Sequence, residues 1–133
     1  MLYLQLGPFF IPMSAPRILY CHCQYAQVLP REVKEAVLQN LCNSGAEFEA
    51  VADLCELSAR RDPLLQELAS GEPIKIAACY PRAVKWLFAA AGTPLDPAST
   101  QVCNLRIDSA DAVTTALLDP TIQPNLPAGK PTP

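Results

Sequence analysis

Four times along the chain a short apolar run is followed by a segment of helical periodicity, and this alternation limits the fold more than any other feature. Ile18-Leu19-Tyr20-Cys21 is continuous and apolar, the pattern of a central parallel strand covered on both faces. After Pro30, Arg31 to Cys42 places Val33, Val37 and Leu41 on one helical face, and Asn43-Ser44-Gly45 supplies helix-ending residue types. Phe48, Ala50, Ala52 and Leu54 then alternate with Glu47, Glu49 and Asp53, which predicts a half-exposed strand at a sheet edge. Asp62-Pro63 caps a short helix, Leu64 to Ser70, closed by Gly71. Pro73 to Cys79 reads as another mostly apolar strand. Pro81 opens a helix with Val84, Leu87, Phe88 and Ala91 on one face, stopped by Gly92. Thr100 to Ile107 predicts a fourth strand, and Ser109 caps a last helix carrying Val113, Ala116 and Leu117.

Repeated strand–helix units imply an α/β fold, a parallel sheet with helices packed on its faces. The expected architecture is a small three-layer Rossmann-like or flavodoxin-like sheet of four parallel strands, and an edge position for the second strand gives the order 2-1-3-4. Residues 17–119 form this domain, between an apolar arm at 1–16 and a Pro-rich tail at 120–133. Proline favours open backbone and blocks ladders, so both ends are expected to extend as arms that bind other subunits. The N-terminal arm, with Leu2-Tyr3-Leu4 and Phe9-Phe10-Ile11, reads either as a docking strap or as an artefact of the assigned start codon. It has no basic region before its apolar stretch, and Gly7-Pro8, Pro12 and Pro16 interrupt it. It therefore resembles neither a signal peptide nor a bilayer span, and a cytoplasmic location follows as the expectation. The length of 133 residues fits one domain, and a net charge of −3 offers no basic field for nucleic acid.

Six cysteines are many for this length. In a reducing compartment they are more often metal ligands or redox groups than disulfides. Cys21 and Cys23 fall at the end of the first strand, Cys55 after the second, Cys79 at the end of the third, and Cys103 in or at the end of the fourth. The spacings from Cys55 to Cys79 and from Cys79 to Cys103 are equal. Parallel strands share one C-terminal rim, where open α/β sheets bind ligands. Cys42 ends the first helix, at the opposite edge, and reads as a buried or semi-buried thiol. Thiolates converging on one rim suit one [4Fe-4S] cluster or a structural zinc. Ligands spread over separate units, rather than paired on close knuckles, favour iron–sulfur. Disulfides across the rim, or small buried cysteines, are the plainer alternatives.

The stretch Ile18–Leu118 resembles the N-terminal domain of the heterodisulfide reductase A subunit family. The resemblance rests on Cys21-His22-Cys23, on Cys55, on Ala77-Ala78-Cys79-Tyr80-Pro81-Arg82, on Ala91-Gly92 and on Asn104-Leu105-Arg106. It implies a domain carrying a [4Fe-4S] cluster, with Cys23, Cys55 and Cys79 as ligands and Cys103 or Cys21 completing the set. The family's flavin-binding region has no counterpart, since no G-x-G-x-x-G follows a strand and the chain has no room for a second domain.

Around the cysteines, His22 reads as an oriented spacer. Arg82, Lys85 and Arg106 are cations able to offset a cluster's negative charge. Tyr80 reads as a shield against water, and Trp86 as packing. With one histidine, no nucleophile elbow and no Walker loop, no catalytic constellation stands out. The expectation is therefore an electron-transfer subunit of an oxidoreductase complex and not an enzyme by itself. The alternatives are a zinc-stabilised, non-redox interaction module and a small-molecule binder with incidental cysteines.

Overall fold

The computed structural model describes residues 16–23 and 29–128. Its elements are β1 (Arg17–Cys21), α1 (Arg31–Ser44), β2 (Glu49–Val51), α2 (Leu54–Ala59), α3 (Pro63–Leu68), β3 (Ile74–Ala78), α4 (Pro81–Ala90), β4 (Thr100–Asn104) and α5 (Ala110–Leu118). All pairings are parallel and the order is β2-β1-β3-β4. The apolar runs become β1 and β3 at the centre, with β3 buried at every position. The alternating run becomes the short edge strand β2.

Register decides which residue meets which helix. Tyr20, Ala77 and Cys103 stand opposite one another across β1, β3 and β4, so all three project to one face. That face carries α1 and α5: the Tyr20 hydroxyl donates to Lys34 O of α1 at 3.0 Å. Leu19, Cys21, Ile76 and Ala78 project to the other face, where α2 and α4 pack on each other and Ser58 Oγ donates to Leu87 O at 2.7 Å.

The helices begin where the sequence places caps. Asp62 Oδ1 accepts from Leu64 N, Ser109 Oγ accepts from Ala112 N, and Pro81 occupies the first turn of α4. Gly45 ends α1 at φ 76°, a left-handed position that glycine takes without steric cost.

Four expectations are corrected. Leu54, read as the end of the second strand, begins a further helix, α2, because the Asp53 carboxylate accepts from Cys55 N and Glu56 N. Strand β4 stops at Asn104 instead of Ile107, since Asn104 Oδ1 turns back to accept from Arg106 N at 2.9 Å. Cys42 is exposed, because the buried stripe of α1 runs through Lys34, Val37 and Leu41, and the next residue is rotated off it. The C-terminal segment, expected as an open arm, lies against its own sheet as far as Asn125 and meets α4 at Pro127. Asn125 Oδ1 accepts from Val102 N and Asn125 Nδ2 donates to Val102 O, both at 2.8 Å. Lys85 Nζ donates to Pro127 O at 2.5 Å. The N-terminal arm through residue 15 and the last residues, 129–133, lie outside the described residues.

Lys75 is 1% exposed in the middle of the sheet. Its ammonium reaches the end of α5, donating to Ala116 O at 2.6 Å and Asp119 O at 2.5 Å. A cation at a helix C-terminus satisfies carbonyls that have no partner inside the helix. Among the described residues, no helix is long and apolar enough to cross a membrane.

Candidate thiol site at the switch point of the sheet

In the order 2-1-3-4 the chain moves outward from β1 to β2, then returns to the other side of β1 for β3. The loops leaving β1 and β3 therefore part at the C-terminal ends, and such a crevice is where open α/β sheets hold ligands. His22 and Cys23 follow β1 here, and Cys79 and Tyr80 follow β3.

Cys23 is buried and adopts φ 55°, a left-handed conformation uncommon for a residue with a side chain. An ionised Cys23 would raise Cys21, Cys55 and Cys79. Cys21, at the end of β1, faces α2, and its Sγ accepts from Leu54 N at 3.4 Å. Cys55 lies in the first turn of α2 on the exposed side, next to the buried cap Asp53. Cys79, half-buried, precedes the first turn of α4.

Burial pushes the Cys21 thiol up to about 11. Desolvation also raises Cys55, and the Asp53 carboxylate raises it further. Cys79 is raised by desolvation, against the backbone N–H groups and the Arg106 guanidinium, which favour its thiolate. Cys21, Cys55 and Cys79 thus keep their protons at neutral pH. Arg106 lies over the Tyr80 ring, 5.0 Å from its centroid, and brings a cation to the Cys79 side of the rim.

Cys103 stands apart from this group. It is buried within β4 rather than at its end, and faces α5. The groups acting on it are Lys75 and Asp108, and burial pushes it up to about 11. Cys21 and Cys103 thus project from opposite faces of the sheet. Among the described residues, no three His, Cys, Asp or Glu side chains stand close enough to hold a single metal ion.

His22 turns away from the thiols, its Nδ1 3.1 Å from the Tyr20 hydroxyl, and its carbonyl accepts from Lys34 Nζ at 2.7 Å. This is the oriented spacer expected. Trp86, expected as packing, is 41% exposed on α4. The sequence reading missed Asp53, which it placed on the exposed side of a strand. Glu56 three residues later is the spacing of a helix start and was the available signal. Comparisons with protein-family models, with curated proteins and with solved structures found no match for this chain.

Proposed function

We propose that the chain carries one [4Fe-4S] cluster at this rim, held by Cys21, Cys23, Cys55 and Cys79, and serves as an electron-transfer subunit within a larger cytoplasmic redox complex. The observation that supports the reading is the placement of free thiols at one end of the sheet, with Cys21 ending β1, Cys23 two residues on, Cys55 in the first turn of α2 and Cys79 directly after β3. The donor set is all sulfur, which suits iron–sulfur or zinc. A single zinc ion draws its thiolates within about 2.3 Å of one centre, and no such tight group is present among the described residues. A cubane spreads its thiolates over four separate irons, and either group would require these side chains to move together on binding. Binding would release the protons that burial keeps on the thiols. It would also require the exposed Cys55 to swing inward.

When bound, such a cluster accepts and passes on one electron at a time. The protein's part is to hold it, exclude water and set its potential. Tyr80 would cover the Cys79 side. Arg106, held over that ring, would favour the more negative, reduced form and so raise the potential. The resemblance of Ile18–Leu118 to the heterodisulfide reductase A domain supports the same reading, with Cys21 in place of Cys103. Neighbouring subunits would be met at the rim, since the C-terminal tail is engaged with its own sheet as far as Asn125.

Anaerobic purification tests this. A brown protein absorbing broadly near about 400 nm, with iron and sulfide in equal amounts, is expected. Stoichiometric zinc without iron, or a colourless, metal-free yet folded chain, refutes it. Cys79→Ala should abolish the colour and Cys103→Ala should keep it. If the two behave alike, the ligand assignment is wrong.

A further inference from the structure

At the end of the sheet opposite the cysteines, the starts of β1 and β2 and the end of α5 enclose a groove of about 910 Å³. Its apolar lining comes from Pro16, Ile18, Phe48, Leu117 and Leu118. Leu118 is among the few large apolar side chains left exposed, at 39%. Three of the charged groups at the groove, Arg17, Glu49 and Asp119, are engaged within the chain, and the fourth, Glu47, is acidic. Arg17 Nη2 is 2.6 Å from Glu49 Oε1, and the Asp119 carboxylate accepts from Thr121 N and Oγ1. The groove is thus better suited to an uncharged, apolar guest than to an anion.

Such a guest is covalently attached at its mouth. Pro16 both lines the groove and receives the chain from residues 1–15, which lie outside the described residues and include no charged side chain. Leu6, Phe9, Phe10 and Ile11 are large and apolar, and Pro8 and Pro12 keep the segment from closing into a helix. Phe10 is six positions before Pro16, an extended reach of about 20 Å. A tether of this kind gives a local concentration on the order of millimolar, which no free partner matches without tight binding.

We propose that this groove is the docking site of the chain's own segment 6–11, with Phe9 and Phe10 seated against Phe48 and Leu118. The apolar segment is then a ligand for the chain's own groove, and not a handle for a neighbouring subunit. This inference is independent of the thiols at the other end.

Limited chymotrypsin digestion of the full chain tests it, scored by mass at the bonds after Phe9 and Phe10. In the wild type those bonds should resist cleavage. Leu118→Glu, at a site already partly exposed, should speed cleavage about tenfold while near-ultraviolet circular dichroism stays unchanged. In the converse variant, Phe9→Asp/Phe10→Asp, the emptied groove should bind the apolar dye ANS, which the wild type does not. Wild-type bonds cut as fast as those of Leu118→Glu would overturn the proposal. So would protection that Leu118→Glu leaves intact, which would place the segment elsewhere. Protection that disappears on dilution together with a dimer would also overturn it, making the guest a second copy's segment.

Discussion

Replacing Lys75 by methionine removes a charge buried in the central strand and shortens the side chain by one heavy atom. Two hydrogen bonds to carbonyls at the end of α5 are lost, at 2.6 and 2.5 Å. A hydrogen bond to a charged group contributes about 1.5–3 kcal/mol, and a buried acceptor left unpaired costs a comparable amount. Against this, burial disfavours the ammonium, as its lowered pKa indicates, and methionine escapes that penalty while filling most of the same channel. The net expectation is a loss of about 2 kcal/mol, which for an ordered region near 100 residues lowers Tm by roughly 10 °C. The assay is urea denaturation followed by circular dichroism, at several pH values. Between the lowered folded-state pKa and the ordinary value of 10.5, the unfolded chain binds more protons at Lys75 than the folded one does. Its contribution therefore rises with pH, and the gap between wild type and Lys75→Met should widen through that window. A variant as stable as the wild type at neutral pH would refute the idea that the lysine clamps α5, and a gap that narrows with pH would refute the sign.

The buried thiol of Cys103 predicts the opposite trend. Raised from 9.0 to about 11, it contributes stability that is complete below 9.0 and lost as pH rises through 11, so Cys103→Ala should flatten the alkaline fall in urea midpoint measured on metal-free protein. Asp53→Asn keeps a good helix cap but removes the carboxylate that raises Cys55. Iodoacetamide should then modify Cys55 faster at mildly alkaline pH with stability nearly unchanged, whereas Asp53→Ala should cost about 1 kcal/mol as well. Asn125→Ala strips both backbone groups of Val102 of their partner, and should cost about 1–3 kcal/mol and speed hydrogen exchange at the Val102 amide.

Strand order was legible because burial leaves different marks on central and edge strands. The polar alternation around Glu47, Glu49 and Asp53 could belong only to a half-exposed strand, while the β1 and β3 runs had to be covered twice. The placement of Cys21 and Cys79 at strand ends was legible for the same reason, since residues that end parallel strands share an edge. Cys103 escaped because side-chain direction reverses at every residue of a strand. Reading β4 as reaching Ile107 left the position of Cys103 along it open, and only the register opposite Ala77 shows which face it takes. Cys42 was misplaced by one step of helical rotation. Lys75 passed unnoticed inside an apolar run, although a lysine in a strand covered on both faces must find acceptors. Its acceptors come from α5, far along the chain, and local pattern carries no trace of them. The docking of Asn125 on Val102 is equally non-local.

The Asn125 clip also bears on how this sheet meets other molecules. Growth by strand addition needs two receptive edges on each copy, one to accept and one to be accepted. Here the β4 side is occupied at Val102 by an amide that imitates a neighbouring strand's donor and acceptor. Among the described residues, only the three-residue β2 is left open to pairing. A chain with a single receptive edge can form a closed pair through it, but cannot propagate a ribbon. The tail thus holds the β4 edge at Val102 against strand addition.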